Sequence, residues 1–242
     1  MKLDILAFGV HPDDVELGCS GTIINAITEG KKVGIIDLTQ GELGTRGTIE
    51  TRFAEATAAA KVMGVSAREN LKMDDGFFQH DKKNVIEVIR AIRKYQPEII
   101  LCNAPEDRHP DHGRSAKLVA EAAFLSGLRK IETIEDGKLQ AAWRPTYTFH
   151  YIQDRFLQPS FVIDVTDSFN KKLEAILCYK TQFNSPGTDE PQTYISSPQF
   201  METVKARALM LGKRIGVQYA EGFLSEKVIG LKSFDAFIQN VT

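Results

Sequence analysis

An α/β fold, a mostly parallel sheet with helices on both faces, is predicted by two features of this 242-residue chain. Short apolar runs alternate with longer segments whose apolar residues recur at helical spacing, which is the grammar of βαβ units. The two stretches richest in histidine and carboxylate each come directly after such a run, where sheets of this Rossmann-like class hold their ligands. With 43% hydrophobic residues, the chain can bury a sizeable core as a single domain. We expect the Rossmann-like core over about residues 1–165 and a C-terminal α+β extension, a lid or assembly part, over about 166–242.

Taken in order, Leu3–Val10 reads as the first strand and Val33–Leu38 as the second. Ala54–Met63 is alanine-rich and stops at Gly64, as a helix does when glycine takes the left-handed position past its end. Val85, Val88, Ile89 and Ile92 form a helical stripe that ends before Pro97. Glu98–Cys102 is a third strand, Ser115–Leu128 a further helix, and Phe161–Val165 a fourth strand. Asp167 can cap a helix to about Phe183, and Ser197 with Pro198 opens another to about Ile215. Between them, FNSPGTDEPQTYISS is rich in Pro, Gly, Ser and Thr and reads as a loop.

Charge and cysteine content narrow the function. The 30 basic and 32 acidic residues are spread along the chain and leave a formal charge of −2, so no electrostatic stripe points to nucleic acid or an anionic membrane. A small neutral or modestly charged molecule is the expected partner. Cys19, Cys102 and Cys178 are widely spaced and form no CxxC pair, which argues against a disulfide framework and a thiolate zinc site and fits a reducing cytoplasm. Asp4 interrupts the N-terminal apolar run, no cleavage-site pattern follows, and no stretch approaches about 18 consecutive apolar residues. Neither export nor membrane spanning is signalled, and a cytoplasmic location is expected.

The first polar stretch is FGVHPDDVELGCSG, Phe8 to Gly21. His11 and Asp14 are three apart, a spacing that points both side chains to one side of a turn entering a helix, with Pro12 stiffening the backbone between them. Such a pair alone is more often a helix cap beside a partly buried histidine. The second stretch, CNAPEDRHPDHGRS, changes the balance, because three of the five histidines in the chain fall in these two short loops. A histidine from HPDH completes a His, Asp, His set with one position left for water, the pattern of a catalytic zinc site. Zn2+ suits two nitrogens and an oxygen, and Fe2+ accepts the same donors.

Adjacent aspartates then hold different jobs: Asp14 as a ligand, Asp13 as a carboxylate base facing the metal-bound water. Glu16 either supports the site from behind or favours the helix N-terminus through its dipole. His109 and His112 are also three apart. We assign the third metal position to His112 and expect Asp111 to orient His109 as an imidazolium near the developing oxyanion or the leaving amine. Arg108 is an anion contact or a surface arginine.

These two motifs resemble the signatures of the PIG-L/LmbE-like family of zinc-dependent N-acetylglucosamine deacetylases: AHPDD near the N-terminus and HPDH after the fourth strand. DLTQGELGTRGTIETRFAEATAAAKVMGV, MDDGFF, EDRHPDH and YAEGF come in the family's order and cover most of the chain. The likeness is greatest to the bacillithiol-pathway branch, which acts on N-acetylglucosaminyl-malate. It implies His11, Asp14 and His112 as zinc ligands, Asp13 as general base, and His109 with Asp111 as the stabilising, proton-handling pair. It also implies that Arg52 and Asp75 contact the sugar or its anionic aglycone, and that the chain forms a homo-oligomer, often a hexamer in this family.

Two departures stand out. Val10 replaces the usual alanine before the histidine, and Val15 separates Asp14 from Glu16, as in the bacillithiol-type branch. Many members carry a tyrosine two positions before the first HPDH histidine as an oxyanion donor, and here that position is Asp107. Tyr194 is the candidate substitute.

The expected reaction is amide hydrolysis releasing acetate from an N-acetylglucosamine moiety. One alternative is a deacetylase of diacetylchitobiose or an amidase of a mercapturic thiol conjugate. Another is a non-catalytic metal- or nucleotide-binding Rossmann-like protein, although no GxGxxG follows the first strand and HPDDVELG aims carboxylates at any phosphate there.

Overall fold

A computed structural model describes residues 1–183 and 190–234. Its helices are α1 (Asp14–Thr28), α2 (Ile49–Met63), α3 (Lys82–Tyr95), α4 (Pro110–Leu125), α5 (Phe169–Ile176) and α6 (Pro198–Lys213). The strands are β1 (Ile5–Gly9), β2 (Val33–Thr39), β3 (Ala67–Met73), β4 (Ile99–Asn103), the short hairpin β5 (Ile134–Glu135) and β6 (Lys138–Leu139), then β7 (Tyr147–Tyr151), β8 (Phe161–Asp164) and β9 (Ala220–Ser225). Apart from the hairpin, the strands form one sheet in the order β3-β2-β1-β4-β7-β9-β8. The run from β3 to β7 is parallel, and β9 lies antiparallel between β7 and β8. No helix among the described residues is long and apolar enough to cross a membrane.

Side chains alternate across a strand, so each central strand serves two cores. Leu6 and Phe8 of β1 pack with Val88 and Ile92 of α3 and Leu118 of α4. Ile5 and Ala7 face the other way, against Val15 and Ile23 of α1 and Tyr151 of β7. Every residue of β1 and β2 is buried, as a parallel sheet covered on both faces requires. Each fully buried Leu, Ile or Phe contributes about 1.5–3 kcal/mol by leaving water.

The chain leaves β1 toward β2 and β3 and then returns to β4 on its other side, so strand order reverses between β1 and β4. These two are direct neighbours, with Ile5 opposite Ile99 and Ala7 opposite Leu101. The loops after them therefore converge, as the sequence reading requires.

Several boundaries move. Helix α4 begins at Pro110 rather than Ser115, because Pro110 fits the first helical turn and His109 caps it by accepting the Asp111 N–H on Nδ1 at 3.3 Å. Helix α5 starts after Ser168 and ends at Ile176, short of Phe183. Within the C-terminal part, β9 is built into the main sheet, where Phe223 stacks on Phe161 and packs into the core behind Tyr151.

Helix α1 is kinked at Cys19 (φ −147, ψ 16). The kink frees backbone groups in a buried place, and two charges from the C-terminal part satisfy them. Glu221 of β9 accepts from the N–H groups of Gly21 and Thr22 and from the Thr22 hydroxyl, while Lys172 of α5 donates to the Leu17 carbonyl. The two side chains also pair, Nζ to Oε1, at 2.6 Å. Gly18 and Gly21 make the close approach possible, since a Cβ on Gly18 would meet the Tyr151 ring at 2.2 Å and one on Gly21 would meet Val165 at 2.8 Å. The EGF of YAEGF thus anchors the helix that carries Asp14.

Candidate active site

The turn after β1 is held in an unusual shape. Asp13 has φ 131 and ψ −22, a conformation that costs a non-glycine residue about 1–3 kcal/mol. Arg52, on the buried face of α2, grips it: Nη1 donates to the Pro12 carbonyl at 2.9 Å and to Asp13 Oδ2 at 2.8 Å. Although Asp13 precedes α1, its side chain makes no capping bond, so its carboxylate is free for another task. Burial raises that carboxyl to about 6, against the lowering effect of the Arg52 charge.

Asp14 turns back into the site. Its Oδ2 accepts from the backbone N–H groups of Val10 and His11, each at 3.0 Å, and from Asn103 Nδ2 at 3.2 Å. Its Oδ1 accepts from Gln153 Nε2 at 2.8 Å and lies 3.2 Å from His112 Nε2. Burial alone would raise its pKa, but the facing histidines hold it well below the usual carboxylate range.

Each of two imidazoles is backed by a carboxylate. His112 bonds Asp107 Oδ2 through Nδ1 at 2.8 Å, leaving Nε2 to face Asp14. His11 bonds Asp75 Oδ1 through Nε2 at 2.9 Å, and its Nδ1 lies 3.7 Å from Asp14 Oδ2. Burial opposes protonation of His112, yet Asp14 and Asp107 outweigh it and lift its pKa to about 10 in the metal-free chain. A metal bound here would displace a proton from that ring.

His109 completes the cluster, its ring edge-on to His11 with centroids 4.7 Å apart and 5.5 Å from His112. His11, His109 and His112 offer nitrogens that all lie within 4.8 Å of one another. These rings line a cleft of about 300 Å³ with Asp13, Asp14 and Arg108. A larger groove of about 670 Å³ lies between α2 and β3, but no histidine lines it, so the groups able to activate water belong to the smaller cleft.

The structure brings together His11, Asp13, Asp14, His109 and His112, and it changes the contacts expected of the others. Asp111 does not orient His109 with its carboxylate, which instead accepts from the Gly76 N–H at 2.9 Å and pairs with Arg114 at 2.8 Å. The surroundings work against the imidazolium expected of His109: burial and the charges of His11 and His112 lower its pKa, and its Nδ1 accepts a backbone N–H. Arg52 pairs with Asp13, and Asp75 divides its oxygens between His11 and the Leu43 N–H; both also line the cleft beside the histidines. Arg108 stacks over the Tyr194 ring at 4.4 Å at the mouth, and the Tyr194 hydroxyl points to Asp154 at 3.4 Å, not toward the histidines. Glu16 stands in the first turn of α1, where a carboxylate suits the helix dipole, and it is fully buried, accepting from Arg68 at 2.6 Å and from the Tyr179 hydroxyl at 3.0 Å.

Sequence reasoning missed Asp107 as a partner of His112 and missed Asn103 and Gln153 altogether. The one available signal was position, since Asn103 ends β4 at the edge where the motifs gather.

A family model described as PIG-L, GlcNAc-PI de-N-acetylase, matches residues 6–123, the segment from β1 to α4 that holds the cluster. The chain is 27% identical over 234 residues to diacetylchitobiose deacetylase of Thermococcus kodakarensis, covering 90% of this chain and 81% of that protein. It is 32% identical over 145 residues to the uncharacterized deacetylase YaiS of Escherichia coli, covering 57% of this chain and 75% of that one. A Bacillus anthracis protein named "Probable N-acetyl-alpha-D-glucosaminyl L-malate deacetylase 2" is 24% identical over 201 residues, 76% of this chain and 83% of its own. Among solved structures, a conserved protein of Thermus thermophilus superimposes with a TM-score of 0.84 at 33% identity, covering 95% of this chain and 98% of that one. With a family match over residues 6–123 and a relative 32% identical over 75% of its own length, this chain belongs to the PIG-L family of de-N-acetylases.

Proposed function

We propose that the protein is a metal-dependent hydrolase that removes the acetyl group from an N-acetylglucosamine moiety. The observation that carries this is the pair of carboxylate-backed imidazoles turned onto Asp14, beside a buried and conformationally strained Asp13. A carboxylate on the far nitrogen of each ring fixes its orientation and increases its basicity, as around metal-ligating histidines generally. The donor set therefore fits a divalent cation.

His11, Asp14 and His112 would hold it, with Zn2+ the first choice for two nitrogens and an oxygen and Fe2+ the alternative. Asp14 is preferred to His109 as third ligand, because His109 bonds no carboxylate among the described residues and already uses Nδ1 to cap α4. When bound, such an ion supplies a Lewis acid and lowers the pKa of bound water to about 7.

The chain's own residues then divide the proton handling. Asp13, held by Arg52, accepts a proton from the attacking water as the new C–O bond forms at the acetyl carbon. His109, neutral and bonded at Nδ1, presents its other nitrogen as a hydrogen-bond donor toward developing negative charge. As the C–N bond breaks, the proton held by Asp13 passes to the amine nitrogen, giving acetate and a free glucosaminide. Asp107 and Asp75 take no proton in this scheme; they fix His112 and His11.

For the substrate, N-acetylglucosaminyl-malate is favoured by the motif likeness and by Arg108, whose half-exposed side chain stands at the mouth where an anionic aglycone would lie. Diacetylchitobiose is the second candidate, supported by the Thermococcus enzyme's greater identity and its match to a greater share of this chain, 27% and 90% against 24% and 76% for the Bacillus protein. Acetate release measured side by side on the two compounds decides between them. Asp13→Asn tests the base: it should retain bound metal and lose about 10²–10⁴-fold in turnover, and full turnover would remove Asp13 from that role.

A further inference from the structure

We infer that Gln153 is a positioning residue of the metal centre, holding Asp14 by a neutral hydrogen bond that leaves Oδ1 as the oxygen able to ligate. The inference rests on the metal site proposed above and adds a residue to it.

The donors around Asp14 are unequally shared. Oδ2 accepts three, from Val10 N, His11 N and Asn103 Nδ2, one more than the two lone-pair sites of a carboxylate oxygen, so it has none left for a ligand. Oδ1 accepts one amide, Gln153 Nε2 at 2.8 Å, and faces His112 Nε2. One lone-pair direction on Oδ1 therefore remains on the side of the second histidine. Gln153 follows β7 and Asn103 ends β4, so the two neighbouring strands each deliver an amide to one oxygen of the same carboxylate.

A lysine or arginine at this position would hold Asp14 equally well, but its charge would offset the ligand's own and repel a cation. The amide donates without adding charge. Its orientation is fixed by the same contact, because only the NH2 end can face a carboxylate. Asn103 is oriented by the Ser115 hydroxyl, 3.3 Å from its Oδ1; Gln153 Oε1, by contrast, is buried with no hydrogen-bond partner among the described residues. A buried acceptor left unpaired costs stability, and it is retained here on a side chain whose other end holds a metal-ligand candidate.

The test strips the full-length protein of metal and titrates it with zinc against a chromophoric chelator at fixed pH. Gln153→Met keeps length and bulk but cannot donate; Gln153→Glu keeps shape and sets an acceptor against Asp14. Both should weaken zinc binding by about 10–100-fold, Glu at least as severely as Met, while the thermal midpoint of metal-free Gln153→Met stays near that of the parent. Unchanged zinc affinity in Gln153→Met overturns the inference, as does a loss of fold stability with zinc affinity intact. A parent protein that binds no zinc overturns the metal-site reading itself, a distinguishable outcome. If Gln153→Met does not fold, the parent decides by side-chain 15N spectroscopy. The Gln153 amide protons should exchange slowly and shift on zinc addition, and free exchange with no shift refutes the assignment.

Discussion

Replacing Arg52 by methionine tests how Asp13 is kept both strained and ionised. The Arg52 guanidinium is buried and reaches Pro12 O at 2.9 Å and Asp13 Oδ2 at 2.8 Å. Burial lifts the Asp13 carboxyl to about 6, and among the influences holding it down the Arg52 charge is the largest. Unit charges about 4 Å apart in a partly screened protein environment interact by about 4 kcal/mol, equivalent to about three pH units at 1.36 kcal/mol each. Water entering the vacated space returns part of this. The acid limb of kcat/KM should therefore move up by about one to three pH units, with activity at pH 7 falling about tenfold for a base that is then mostly protonated. Metal content should stay at the parent level. Arg52→Lys restores the charge without the planar fork and should give a smaller shift. The assay is a pH–rate profile on metal-loaded parent and variants. An Arg52→Met acid limb within about 0.3 pH units of the parent would refute the coupling.

Other expectations follow from neighbouring contacts. Asp107→Leu removes the acceptor behind His112 and should weaken zinc binding by about 10–100-fold, read by chelator competition; unchanged affinity would deny Asp107 its orienting role. Glu221→Gln leaves Lys172 buried without its counter-charge and should lower unfolding free energy by about 3–5 kcal/mol, read in urea with an unchanged m-value; a loss below about 1 kcal/mol would contradict the clasp at the α1 kink. In the metal-free protein the raised Asp13 pKa has a definite sign: the group favours the folded chain below its ordinary 3.8, and that contribution is lost as pH rises through about 6. Carboxyl 13C titration should place the Asp13 midpoint near 6, and a midpoint at the ordinary value would contradict its burial.

Much of this fold was legible because apolar runs buried on both faces leave a strong signal in sequence. The four strands expected from such runs are all present, near the expected bounds. Strand β3 was not legible, since ARENLKM sits at the sheet edge and most of its residues are only partly buried. Strand β9 was hidden for another reason: Glu221 breaks its apolar pattern to satisfy a kink 200 residues earlier. The cluster of His11, Asp13, Asp14, His109 and His112 was legible because chemistry concentrates rare residue types in short motifs. The residues that orient it were not, because Asp75, Asp107 with Asn103, and Gln153 come from three separate places and act through contacts that only the folded chain creates. Arg52 illustrates the limit. Its importance could be carried over from family likeness, but its partner, the strained Asp13, lies 39 residues away in sequence.

The most direct test of the central claim combines metal analysis with acetate release. Protein stripped by chelator should be inactive on both N-acetylglucosaminyl-malate and diacetylchitobiose, and one equivalent of zinc or iron(II) should restore acetate release from at least one of them. Metal-stripped protein that releases acetate at the full rate, or reconstituted protein that releases none from either compound, would contradict the account.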